Sequence, residues 1–534
     1  MPLPSQSTAL FLRHSTNRSP RVAAALEFTV DGHPVEVPDD GASLMEVLRD
    51  RLGISSVKDG CSPQGQCGCC TVWVDGKPRV SCVTPARRVA GRAITTLAGI
   101  PEKTRAGWGQ AFCAAGASQC GFCTPGIIMR LAGLEARSGE DRSRSAAESA
   151  LAAHLCRCTG WQTIVEAWER YGTATYERDW GAAAQRAELE GGVPQEVGAA
   201  VSLGEGGFAD DTVPEGALVA LSDGRGGWAL GETVAEARAV AGKVQGRRTP
   251  DDRPMPLEIP DGNWAVRLRT SWVEPAYLET DASWCAPGGE PASPLANGGA
   301  FGAKVASPLP GIARQLADEH GRPVRVLWSR EDTVRHGPKR PPVAIGIDAD
   351  GRGVVRVART PGVADAIASV APTLVVEEVD IAGPPTSVDI RGAGWVEAAV
   401  ALGALGDGSQ PMASPGGGSA LAQWRQGTLG IQVQGGNPLD EIVLRSYCIG
   451  AAHMAYSWVT SEALTVDPQG EVHDLTIRSF GIVPASRMPP VEVEIEPSDD
   501  PPVNCSDAVF AAVASAVWRA AGHPPDWPVG PIGD

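Results

Sequence analysis

"GCSPQGQCGCCTVWVDG", residues 60–76, packs Cys61, Cys67, Cys69 and Cys70 into ten positions and then runs into a strand. The whole chain holds 13 cysteines in 534 residues, so this density is far above what composition alone supplies. Glycine and polar residues between the cysteines let the backbone curl and aim N–H groups at sulfur. Downstream, "TVWVDGKPRVSC" (71–82) reads as a hairpin that turns at Asp75-Gly76 and closes on Cys82. Upstream, "LEFTVDGHPVEV" (26–37) reads as another hairpin, around Asp31-Gly32. Between the two, "SLMEVLRDRLG" (43–53) opens with Ser43 and Glu46, a capping box for an amphipathic helix that stops at Gly53. Hairpin, helix, cysteine loop and hairpin together predict a small α+β unit.

The spacing C-x5-C-x2-C followed by a distant Cys82 is close to the plant-type ferredoxin pattern for a [2Fe–2S] centre, with one extra residue. A zinc site also takes four thiolates, but its ligands usually come as two short C-x2-4-C pairs. A second group follows in "QCGFCTPG" (119–126) and "HLCRCTGW" (154–161), which carry Cys120, Cys123, Cys156 and Cys158. Each precedes a helical pattern, so the sulfurs are expected where positive helix ends converge. The C-x-C pair is too tight for most zinc sites. Cys113, among apolar neighbours in "GQAFCAAG", reads as core.

Taken in this order, the three motifs resemble the iron–sulfur part of the xanthine dehydrogenase and aldehyde oxidoreductase family, the molybdenum hydroxylases, over residues 26–171. The resemblance implies an α+β multidomain fold: a plant-type ferredoxin (β-grasp) domain at 26–100, a four-helix [2Fe–2S] domain at 101–178, a linker at 179–198, and an abridged α+β molybdopterin-binding domain at 199–534. It further implies that Cys61, Cys67, Cys70 and Cys82 bind one cluster and that Cys120, Cys123, Cys156 and Cys158 bind the other. Gln119 and Cys158 match the positions that approach the molybdopterin, which the resemblance gives in its cytosine dinucleotide form with molybdenum. Cys69 fills a slot where the family usually has Ala and is not expected to be a ligand.

Beyond residue 198, segments such as "VEPAYLETDASW", "NGGAFGAK", "VDIRGAGWVEAA" and "SWVTSEALTVDPQGEVHDLTIRSFGI" resemble successive portions of the molybdopterin subunit. By that resemblance Gly299, Phe301 and Gly302 face the cofactor and Arg391 faces the active site. Two departures stand out. The family's pterin-facing Gln has no counterpart between Trp284 and Asn297, and Cys505-Ser506 stands where its Gly-Glu catalytic base falls. Asp507 is the remaining carboxylate for that role, competing with a helix-capping one. The stretch 406–437 reads as a flexible linker, because "PGGGS" lacks the residues of a phosphate loop.

With no FAD or nicotinamide segment visible, the resemblance implies an external electron acceptor or separate flavoprotein, an aldehyde or N-heterocycle as substrate, and by analogy a homodimer. Two functions follow: a molybdenum-dependent hydroxylase that exports electrons through two [2Fe–2S] clusters, or an iron–sulfur electron-transfer protein whose molybdopterin domain is inactive. The formal charge of −17 argues against a nucleic-acid surface. No apolar run reaches the ~18 to 20 residues of a membrane span. Thirteen cysteines without a signal peptide suggest a reducing, cytoplasmic setting, and residues 1–25 read as a disordered extension.

Overall fold

The computed structural model describes residues 25–138, 142–173, 175–242, 254–295 and 300–532. Residues 1–24 of the expected extension, and Gly299, lie outside them.

The first unit is a five-stranded sheet in which Ala25–Val30 lies between His33–Pro38 and Ala93–Thr95, followed by Thr71–Val74 and Lys77–Val80. Asp31, Gly32, Asp75 and Gly76 all take the left-handed conformation that a two-residue hairpin turn requires. The capping box is present: Ser43 accepts the Glu46 N–H and Glu46 accepts the Ser43 N–H. The helix it starts is short, Leu44–Glu46, and widens into a π turn at Val47–Arg51. Helices Glu102–Ala115, Thr124–Ser138, Arg144–Leu151 and Gln162–Glu169 form the second unit, centred on a stack of Trp108, Trp168 and Tyr171.

Three further sheets follow among the described residues. One contains Leu218–Ser222, Trp228–Gly231, Ala282–Cys285 and Val324–Leu327. Another runs from Val266–Thr270 through Val343–Ile347 and Gly353–Ala358 to Leu374–Val379, and Asp526–Trp527 returns to its other edge. The last, built on Ser419–Arg425, Thr428–Gln434 and Val491–Ile495, packs against helix Ser506–Ala520, which in turn packs on helix Glu441–Thr460. No helix among the described residues is long and apolar enough to cross a membrane.

Two expectations are corrected here. The stretch 179–198 is no mere linker, because Trp180–Gly191 is a helix capped by Asp179, whose Ala183 and Ala187 pack on Val443 and Tyr447. The stretch 406–437 contains the hairpin Ser419–Arg425 and Thr428–Gln434, turning at Gln426-Gly427. Its Ala420, Ala422, Leu429, Ile431 and Val433 alternate into the core, the period of a half-buried strand.

Candidate iron–sulfur sites and the adjoining clefts

All 13 cysteines are buried and none forms a disulfide. In the first set Cys61 lies against Cys67 and Cys82, and Cys82 against Cys70. Cys61 Sγ also accepts the N–H groups of Gln64 and Gln66, at 3.2 and 3.4 Å. Hydrogen bonds from the Cys67 and Cys82 thiols draw Cys61 well below the ordinary range of a cysteine. In the second set the contacts fall into two pairs, Cys120 with Cys158 at 3.6 Å and Cys123 with Cys156. The Cys123 thiol, aided by Thr159, brings Cys156 down to about 7 despite full burial. Helix Thr124–Ser138 starts directly after Cys123, where its dipole favours negative sulfur.

Among the described residues no three His, Cys, Asp or Glu side chains are arranged to hold a single metal ion. In each set the sulfurs touch two at a time without three converging on a point, which suits a centre with two irons, each taking two thiolates, better than one tetrahedral ion. In each set one thiol is drawn below the ordinary range of a cysteine, toward the form that binds metal. The donor chemistry therefore fits the iron–sulfur reading of both groups.

The two loops interlock. Leu155 N–H donates to Cys67 O at 3.0 Å, and Thr71 Oγ1 meets His154 Nε2 at 3.2 Å. Gly68 has a φ of +75° and no room for a Cβ, which would stand 2.4 Å from the His154 ring. Cys69 sits in this seam, against Cys67 and within electrostatic reach of Cys156. Arg157, between two cysteines of the second set, is buried and locked to Glu462 by contacts of 2.5 and 2.8 Å.

Gln119, expected to approach a pterin, donates instead to Ser446 Oγ and to Cys158 O, both at 3.0 Å. Helix Glu441–Thr460 closes over this spot so tightly that a Cβ on Gly450 would stand 1.8 Å from Cys158 O. The cavities beside Gln119 and Cys158 amount to about 20 and 10 Å³, room for a single water. Among the described residues the molybdopterin thus does not fit where Gln119 and Cys158 would meet it.

Phe301, Gly302, Arg391 and Asp507 do come together, round a cleft of about 250 Å³. Gly302 is confined to glycine, since a Cβ there would meet Asp389 O at 1.7 Å. Arg391 donates its N–H to Phe301 O, stacks its guanidinium 5.2 Å from the Phe301 ring, and pairs with Asp507 at 3.0 Å. Asp507 caps nothing itself; Asn504 Oδ1 accepts its N–H.

Sequence reasoning missed Glu190. Its buried carboxylate accepts the N–H groups of Cys505 and Ser506 at 3.2 and 2.8 Å, and pairs with the fully buried Arg186. Burial raises the Glu190 pKa above the ordinary carboxylate range. The Arg186 and Glu190 spacing of four, between Asp179 and Gly192, was the available signal.

A family model described as "[2Fe-2S] binding domain" matches residues 96–169. The chain is 42% identical to the xanthine dehydrogenase iron-sulfur-binding subunit of Escherichia coli O157:H7, over 26% of this chain and 89% of that protein. It is 38% identical to the nicotinate dehydrogenase small FeS subunit of Eubacterium barkeri, over 24% of this chain and 81% of that protein. The chain belongs to the xanthine dehydrogenase and aldehyde oxidoreductase family. Against the aldehyde oxidoreductase of Megalodesulfovibrio gigas, the match is 43% identical but covers only 14% of that enzyme. The solved aldehyde oxidoreductase of Desulfovibrio desulfuricans shares the fold, with a TM-score of 0.67 and 14% identity over 95% of this chain and 99% of that one. Sequence likeness to the family thus lies in the iron–sulfur part, and fold likeness extends across the whole molecule.

Two more carboxylates, the half-buried Asp59 and the buried Glu279, line a cleft between the ferredoxin sheet and the sheet that follows. Burial, reinforced by the Cys61 thiolate, lifts Asp59 to about 7. Burial also lifts Glu279 to about 7, against the pull of Lys304. A raised carboxyl pKa means that the folded state holds more protons than the unfolded one between the ordinary carboxylate pKa and about 7, so stability falls as pH rises through that window. Thermal unfolding is expected at a higher temperature at pH 5 than at pH 8, with the difference reduced in Glu279→Gln. An unchanged slope in that variant would contradict the assignment.

Proposed function

We propose that this oxidoreductase-family chain is a two-centre iron–sulfur electron-transfer protein that delivers electrons to an external acceptor. Cys61, Cys67, Cys70 and Cys82 hold one [2Fe–2S] cluster, and Cys120, Cys123, Cys156 and Cys158 hold the other. The observation that carries this reading is the direct backbone contact between the two buried thiol sets, Leu155 N–H to Cys67 O. It joins a residue beside one set to a member of the other, so electrons pass between centres without crossing solvent. Relatives whose names identify them as iron–sulfur subunits support a partner protein as the acceptor.

A second reading, hydroxylation of an aldehyde or N-heterocycle, is favoured by one observation: the convergence of Phe301, Gly302, Arg391 and Asp507 on one cleft. When bound, a molybdopterin supplies two-electron oxidation with transfer of a hydroxyl to substrate. Set against this reading are the closed face at Gln119 and Cys158 and the pairing of Asp507 with Arg391, which commits the remaining carboxylate. Metal and pterin analysis of the purified protein separates the two. The electron-transfer reading predicts about four irons per chain with neither molybdenum nor releasable pterin; one molybdenum and one pterin per chain would establish the hydroxylase instead.

A further inference from the structure

The carboxylate cleft between the ferredoxin sheet and strands Leu218–Ser222 and Val324–Leu327 holds about 270 Å³ and has no part in the sites described above. Its wall comes from both cysteine loops. Asp59, Ser62 and Pro63 flank Cys61, while Phe122 lies between Cys120 and Cys123.

Seven carboxylates and three guanidiniums line the cleft. The guanidiniums are already committed: Arg49 to Asp210 and Asp211, Arg325 to Asp50 and Asp210, and Arg238 to Glu46. Among the described residues Asp59, Glu279 and Glu331 form no ion pair with an arginine, although Arg238 and Arg49 act on Asp59 and Arg330 on Glu331 at longer range. Glu279 is only 7% exposed; Lys304 reaches its Oε2 at 2.6 Å, but Oε1 has no partner. Carboxylates outnumber guanidiniums along the lining, and a cationic guest would offset that excess. The rest of the lining mixes apolar side chains, among them Met45, Phe122 and Leu327, with the hydroxyls of Ser222, Thr280 and Ser329. Carboxylates beside the Phe122 ring and aliphatic side chains match a flat organic cation, which gains both ion pairing and ring contact.

We infer that this cleft is the acceptor port of the electron outlet and takes an N-heteroaromatic cation. The inference rests on the reading that both cysteine sets hold clusters. Each reduced centre gives up one electron, its ferrous iron returning to ferric. A phenazinium acceptor gains two electrons in all and takes one proton from solvent.

The test uses the iron-loaded protein reduced with dithionite, and follows its reoxidation by stopped flow with phenazine methosulfate, a cation, or dichlorophenolindophenolate, an anion. Benzamidinium serves as a redox-inert cation, both as competitor and in thermal shift. Oxidation by the phenazinium is expected to saturate and to be slowed competitively by benzamidinium, which also raises the melting temperature. Oxidation by the anion is expected to do neither. Leu221→Trp, which fills the cleft, and Glu331→Gln should each weaken both cations by about tenfold, the scale of one lost charged contact. Iron retained at the wild-type level shows that these variants fold. Non-saturating phenazinium oxidation, indifferent to benzamidinium and to Leu221→Trp, would overturn the inference. Absence of iron would instead overturn the cluster reading, while benzamidinium binding would still report on the cleft.

Discussion

Cys156→Ser is expected to lower the iron content from about four to about two per chain and to abolish one of two EPR signals in the reduced protein. Cys156 is 1% exposed, touches Cys123, and receives hydrogen bonds from Thr159 and from backbone N–H groups. A serine hydroxyl keeps the hydrogen bonds but is not ionised near neutral pH and is a poor match for iron. Because metal affinity is in effect folding free energy, the helical unit should also melt at a lower temperature. Cys69→Ser is the control. Its thiol lies in the seam between the loops against Cys67 and is not one of the eight proposed ligands, so both signals should survive and the iron should remain at about four. A lost signal in Cys69→Ser would refute the assignment of ligands.

Glu190→Ala is expected to destabilise the protein by about 3 to 5 kcal/mol, the usual cost of removing one partner from a buried ion pair. The loss has two parts. Arg186 is fully buried; the Pro438, Asn437 and Val503 carbonyls accept from it, and among the described residues Glu190 is the carboxylate paired with it. The same carboxylate accepts N–H groups at the start of helix Ser506–Ala520, which would otherwise be buried without acceptors. Arg186→Met combined with Glu190→Ala should cost less than the sum of the single changes, since no charge is then stranded. The midpoint of urea unfolding reads this directly. A loss below ~1 kcal/mol for Glu190→Ala would mean that residues 179–198 act only as a tether.

How far these features could be read in advance depended on how local their causes were. The ferredoxin unit was readable because Asp31-Gly32, Asp75-Gly76 and the Ser43–Glu46 box each specify their own backbone within a few residues. The two dense cysteine groups, all of them buried in the fold, were visible in the sequence from their spacing. Helix Trp180–Gly191 was obscured by a run of small residues that resembles a linker, and the hairpin inside 406–437 by the glycines around it. The link from Glu190 to Cys505 spans 315 residues and leaves no local pattern. The closure of helix Glu441–Thr460 over Gln119 is equally non-local, since it depends on Ser446 and Gly450 meeting a loop more than 280 residues earlier in the chain. Conversely, Phe301, Arg391 and Asp507 were named from scattered motifs, and the fold brings them to one cleft.

The central claim is that the eight cysteines hold two separate [2Fe–2S] centres in contact with one another. Quantitative EPR of the dithionite-reduced protein tests it most directly. Two distinct signals are expected, integrating to about two spins per chain and broadening each other at low temperature because the centres are neighbours. A single signal of about one spin, or a protein that carries zinc and no signal, would contradict it.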